Sequence, residues 1–142
     1  MNRKIFFDKI RASLFGGTLS ASQVSGLEVI LAEAERRKEP LANTAYALAT
    51  TQLETGATMH PVREGFAKSE AAARAYVKKH YAKKYGKPAG PYKHVYYGRG
   101  YVQLTWLFNY EKAKAKLGFD FVKYPDAVMD PKWAVRILFE GM

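Results

Sequence analysis

Tyr96-Tyr97-Gly98-Arg99-Gly100-Tyr101-Val102-Gln103-Leu104-Thr105-Trp106, followed by Asn109-Tyr110, is the stretch on which the fold of this chain turns. Two glycines flank an arginine, and apolar and polar residues then alternate. That alternation predicts an extended segment with Gln103 and Thr105 on one side and Val102 and Leu104 on the other. With Gly-rich turns beside it, the segment reads as part of a small β hairpin packed on a core. Its polar side carries many hydrogen-bonding groups, and Tyr and Trp supply flat apolar area, a mixture suited to a carbohydrate chain. Pattern alone leaves function open, because a structural hairpin has the same signature.

Outward from this stretch the periodicity is helical. Ile5, Phe6, Ile10 and Leu14 recur near one helical turn and stop at Gly16-Gly17. Ser20 with Gln23 forms a capping-box pattern, opening a second helix whose stripe is Val24, Leu27, Ile30, Leu31 and Ala34. Basic residues Arg36, Arg37 and Lys38 close it, where the helix dipole favours cations. A third, Ala-rich helix is predicted from Leu41 to Glu54, and its small side chains suggest a central position. It ends at Glu54-Thr55-Gly56, with Gly56 as the left-handed closing residue. Residues 57–66 have no period and read as a loop. A helix is predicted from Ser69 to Tyr85, then a break at Gly86, Pro88, Gly90 and Pro91, then helices over Trp106–Leu117 and Lys132–Phe139. Asp130-Pro131 supplies the cap and first position of the last.

The 142 residues are enough for one domain, with neither an internal repeat nor a linker. Lysine plus arginine number 23 against 13 acids, a net charge of +10 that directs the protein towards polyanions: nucleic acid, anionic lipid or a bacterial wall. The densest basic run, Lys78-Lys79-His80 to Lys83-Lys84, lies on the predicted helix with Tyr81 and Tyr85 interleaved. It reads as a solvated face, with nucleic-acid binding as the rival. Cysteine is absent, which excludes disulfides and cysteine-ligated metal. His60, His80 and His94 share no metal-ligand spacing, and neither a Gly-x-Ser-x-Gly elbow nor a phosphate-binding loop is present, so no metal or cofactor is expected. No secretory or membrane-spanning segment is evident near Met1, so the expected location is a cytoplasm, with no membrane insertion.

Tyr97-Gly98-Arg99-Gly100, Gln103-Leu104-Thr105-Trp106 and Asn109-Tyr110 resemble the signature of chitinase-like glycoside hydrolases of family 19, including the phage endolysins related to them. The resemblance runs over most of the chain and is strongest over Ala45–Glu64 and Tyr96–Tyr110. It implies a mainly α, lysozyme-like α+β domain with one small β hairpin beside a substrate cleft. Relatives commonly continue with a further segment that walls the cleft, so the resemblance also implies a short or truncated member with a more open cleft.

Inverting glycosidases need a protonated carboxyl on the leaving oxygen and an ionised carboxylate that activates water, about 6.5–9.5 Å apart. Glu54 lies at the C-terminal end of a helix, where the dipole disfavours the ionised form by roughly 0.3–1 kcal/mol, as suits a general acid. The resemblance gives the same assignment: Leu53-Glu54-Thr55 matches a His-Glu-Thr motif, with Leu53 where histidine is usual. It implies Glu64, within Pro61-Val62-Arg63-Glu64, as the base, with Glu70 as fallback; a surface ion pair to Arg63 is the bland alternative for Glu64. It further implies that Thr105 holds the attacking water, that Gln103 and Asn109 bind sugar, and that Tyr97 and Trp106 shape the groove, Trp106 being partly core. Arg99 either binds an anionic substituent or pairs with a carboxylate to hold the site together, and the second role is favoured.

Chitin is neutral and peptidoglycan anionic, so the basic charge directs the expectation to a monomeric phage-type muramidase acting on the bacterial wall, without nucleic-acid partners. Such an enzyme is made in the host cytoplasm and released to the wall through a holin pore. The rivals are a chitinase, a lytic transglycosylase that needs only one acid, and a non-catalytic binding module.

Overall fold

The computed structural model describes residues 1–141. Six helices account for most of it, with one two-stranded antiparallel sheet, in the order α1 (Arg3–Leu14), α2 (Ala21–Arg37), α3 (Leu41–Glu54), β1 (Val62–Arg63), α4 (Glu70–Tyr81), β2 (Arg99–Gly100), α5 (Leu107–Leu117) and α6 (Pro131–Glu140). Short 3-10 turns follow β1 at Glu64–Phe66 and precede α6 at Pro125–Met129. The expected α-rich class with a small sheet is what the chain adopts.

Local signals set most of the boundaries. Ser20 and Gln23 form the reciprocal capping box, Ser69 accepts from Ala72 N, and Asp130 accepts from Lys132 N with Pro131 at the first position of α6. The main core lies between α2 and α6, where Leu27, Ile30 and Ala34 meet Ala134, Val135, Leu138 and Phe139, with Met59 and Tyr101 closing it. A second cluster gathers Tyr96, Tyr110, Phe121, Val122, Val128 and Ile137, and a smaller third joins Ala73 and Val77 of α4 to Val95 and Tyr97.

Three expectations are corrected. α3 is peripheral: it buries only Thr44, Ala47 and Thr51, and Leu41 and Leu53 are 76% and 78% exposed. Alanine favours helix with or without burial, so its abundance did not report on position. α4 ends at Tyr81, four residues early, because Gly86 folds back and donates to Tyr81 O at 3.0 Å. A side chain at Gly86 would lie 2.3 Å from Val77 O, so only glycine permits this approach.

The third correction concerns the opening stretch. It does not run extended from Val102 to Thr105. Arg99 and Leu104 exchange backbone hydrogen bonds of 3.2 and 2.9 Å around the turn Gly100–Gln103, in which Gly100 (φ 93) and Gln103 (φ 54) are left-handed. Alternation is lost, and residues 102–105 are all half-buried. The sheet partner of β2 is the distant β1, in the register Val62↔Gly100 and Arg63↔Arg99. The segment read as a featureless loop thus supplies a strand.

Candidate active site

The site begins where α3 ends. Glu54 is its last residue and is exposed. Thr55 is fully buried; its hydroxyl donates to Thr51 O at 2.6 Å and accepts from Met59 N at 3.0 Å, bending the chain back across α2. Gln23 secures the same loop by donating to Ala57 O at 3.0 Å, and the His60 ring lies 2.9 Å from the Ser22 hydroxyl. Leu53 points into solvent and takes no part, so the loop is held without the histidine that the resemblance places there.

The loop then delivers β1 and Glu64. Glu64 N donates to Gly98 O at 2.8 Å, and Gly98 N donates to Glu64 Oε2 at 2.8 Å, so the residue is clamped to the chain before β2 through both backbone and side chain. The Tyr85 hydroxyl donates to Glu64 Oε1 at 2.5 Å. Burial, and then the bond to Glu64, push the Tyr85 phenol well above its ordinary value, so it acts as a donor. The two donors fix the carboxylate plane and leave half its acceptor sites open. Arg63 turns instead to Asp126 at 3.1 Å, so Glu64 is not the partner of its neighbour.

Gln103 and Thr105 stand over the same point. A side chain at Gly98 would lie 2.7 Å from Gln103 Oε1 and 3.2 Å from Thr105 Oγ1, so both side chains lie beside the glycine whose amide holds Glu64. The Gln103 amide donates to Val62 O at 2.8 Å and its turn places it between the strands. The Thr105 hydroxyl donates to Gln103 O at 2.8 Å, which leaves its lone pairs free to accept. Trp106 meets Tyr85 edge-on at 5.2 Å and is 39% exposed, a rim residue rather than a core one. Across from these, a side chain at Gly56 would lie 3.3 Å from the Phe66 ring, so the end of α3 abuts the turn that carries Glu64. Glu64, Gln103 and Thr105 therefore gather around Gly98, with Trp106 against Tyr85 beside them, and the end of α3 that carries Glu54 adjoins the turn after Glu64.

The remaining expected residues lie elsewhere. Arg99 is 1% exposed: it donates to Asp126 at 2.9 Å, to Tyr110 Oη at 3.0 Å and to Val95 O at 3.2 Å, and lies 3.6 Å over the Tyr97 ring. Neither Arg99 nor Tyr97, also buried, is placed to touch a sugar, and Arg99 takes the favoured role of pairing with a carboxylate. Burial alone would raise the Asp126 carboxyl, but Arg99 and Arg63 outweigh it and hold it below the usual carboxylate value. Asn109 donates to Thr105 O at 2.8 Å and otherwise lines a separate cavity between α5 and α6. Glu70 opens α4 as an exposed first-turn acid, where the dipole favours it. Among the described residues, no three His, Cys, Asp or Glu side chains gather to hold a metal.

Tyr85, Thr55, Gly98 N–H and Asp126 are the functional groups that sequence reasoning missed. Tyr85 had a signal, its place four residues after Tyr81, but the basic run around it masked this.

The profile of the class I chitinases, glycoside hydrolase family 19, matches residues 20–137. The chain belongs to that family. Chitinase C of Streptomyces griseus HUT6037 is 30% identical over 80% of this chain and 54% of its own, with a TM-score of 0.49. A chitinase C mutant is 28% identical over 93% of this chain and 50% of its own, with a TM-score of 0.52, which gives the family 19 fold independent support. Among curated relatives, Chitinase 6 of rice (Oryza sativa subsp. japonica) is 54% identical over 33 residues, and Endochitinase EP3 of Arabidopsis thaliana 49% over 41 residues. These stretches cover 23% and 29% of this chain, and 12% and 15% of the relatives. The family 19 chain thus spans about half the length of the solved relatives and a small part of the plant ones.

Proposed function

We propose that this family 19 protein hydrolyses the β-1,4 bond between N-acetylmuramic acid and N-acetylglucosamine in peptidoglycan, with inversion. Glu54 gives its proton to the leaving glycosidic oxygen as the bond to C1 breaks. A water held by the Thr105 hydroxyl attacks C1 from the opposite face and passes its proton to Glu64. Gln103 binds an acetamido or hydroxyl group, and Trp106 flanks the sugar. The observation that carries this reading is the double clamp on Glu64, which fixes its carboxylate while leaving acceptor sites open for a water's proton, with the Thr105 hydroxyl beside the same glycine, Gly98. Peptidoglycan is favoured over a neutral polymer by the net charge of +10. Synthesis in a host cytoplasm and release to the wall as a phage-type endolysin belong to the same proposal. Chitin is the second reading, favoured by the names of the relatives.

The test is mass spectrometry of soluble products from purified peptidoglycan, for wild type, Glu54→Gln and Glu64→Gln, with chitin oligomers in parallel. Reducing muramic-acid ends are expected, falling about 10²–10⁴-fold in each variant. Anhydro ends, with activity kept in Glu64→Gln, would replace hydrolysis by transglycosylation. Release from chitin alone would move the substrate.

A further inference from the structure

Between Glu70 and Glu111 the chain carries eight lysines and arginines and no acidic residue, so most of its excess charge sits in one stretch. The charges are not dispersed by ion pairing. Arginines 3, 11, 36, 37, 63 and 99 all have carboxylate partners, whereas no ion pair among the described residues engages Arg74, Lys78, Lys79, Lys83, Lys84 or Lys87. Three of these, Arg74, Lys78 and Lys87, line a groove of about 500 Å³ along α4. It exists because Gly86 settles directly on the carbonyls of Val77 and Tyr81, bringing Lys87 back beside the helix. Arg74 and Lys78 are one turn apart, about 6 Å along the axis, on the same face.

We infer that this groove is an anion site that docks a phosphodiester-linked glycopolymer of the bacterial wall. The floor is made of small side chains, among them Ala75, Gly86 and Val95, which let a charged chain approach the three cations closely. It offers no aromatic platform for bases, since Tyr76 packs with His80 and Tyr81 with Tyr85. Arg74 supplies a fork that fits phosphate oxygens, and the lysines supply point charges. The groove adjoins a second cavity, since Lys87 lines both, and that cavity is shared with Trp106 and with Tyr85, which holds Glu64. A polymer seated on α4 thereby keeps the protein beside its wall. Choosing a wall polymer rests on the function proposed above; the binding itself requires no hydrolysis.

The experiment is co-sedimentation with purified Gram-positive walls over a range of salt, before and after hydrofluoric acid removes their phosphodiester-linked polymers. It is run in the Glu54→Gln background so that walls stay intact, and catalytic failure of the chain would leave the readout unaffected. Arg74→Gln/Lys78→Gln/Lys87→Gln should weaken binding to untreated walls at least tenfold and reduce the log–log salt slope by about two. Acid treatment should bring the unsubstituted protein to the same level. The three positions are exposed, so the substitutions leave the fold intact. Lys9→Gln/Lys123→Gln/Lys132→Gln removes equal charge elsewhere and should retain binding. Equal loss in that control would reduce the groove to net charge and overturn the inference. So would undiminished binding to acid-treated walls, which would name carboxylates as the ligand, or full displacement by duplex DNA at equal phosphate concentration.

Discussion

The hydroxyl of Thr55 gives its proton to the carbonyl of Thr51 and takes the amide of Met59, and through these two bonds it fixes the chain leaving Glu54. Valine has the same shape and neither bond. Thr55→Val would leave the Met59 N–H unpaired where exposure is zero, at a cost of about 1–3 kcal/mol. Chemical denaturation should show that loss, and turnover per folded molecule should fall because the loop carrying Glu64 is released from α3. Thr55→Ser, which keeps the hydroxyl, should recover both. A Val variant as stable and active as wild type would remove Thr55 from the support of the site. Leu53, by contrast, is 78% exposed and makes no comparable bond. The neighbouring threonine, not the residue before Glu54, organises this corner.

At the scale of elements, α2 is the platform against which α3, α6 and the loop between α3 and β1 are set. The loop lies against the helix at Gly26, where an added side chain would meet Met59 O at 2.1 Å and Met59 C at 2.8 Å, both backbone atoms. Such a clash cannot be relieved by a rotamer change. Gly26→Ala should therefore cost at least the 1–3 kcal/mol typical of overpacking, roughly, despite alanine's better helix propensity, and should lower the melting temperature. An unchanged or raised melting temperature would mean that the loop can lift off α2 freely. The helices themselves were legible because their signals are local: a capping box at Ser20, an Asp-Pro start at Asp130, Gly16-Gly17 after the first helix. The seating of α3 was not, because alanine says helix without saying buried. Nor was β1, whose two residues acquire strand identity only from β2, far along the chain.

Across the whole molecule, one acid joins segments that are far apart in sequence. Asp126, in the 3-10 turn before α6, takes Arg63 of β1 at 3.1 Å and Arg99 of β2 at 2.9 Å, and Arg99 in turn holds Tyr110 of α5. This explains why the site was only half legible. Glu64, Gln103 and Thr105 meet around Gly98, and Arg99 pairs with a carboxylate in the role favoured for it, but the partner that buries it, Asp126, lies outside every motif. The clamp has a pH signature. Arg99 and Arg63 hold the Asp126 carboxyl below its ordinary 3.8 against the effect of burial, so the unfolded chain binds a proton there before the folded one does. The stabilisation is complete above that ordinary value and is lost as pH falls through the lowered folded value. Asp126→Asn should reduce stability near neutral pH by roughly 1–3 kcal/mol, less than for a fully buried pair because the Asp126 side chain is 43% exposed. The gap between wild type and variant should then narrow steadily below about pH 4, as urea denaturation at successive pH values would reveal. Other acids with lowered values, such as Glu33 and Asp120, contribute equally to both proteins and cancel in that difference. Parallel stability curves from neutral to acid pH would mean that Asp126 is held by shape alone and that the two arginines contribute no linkage.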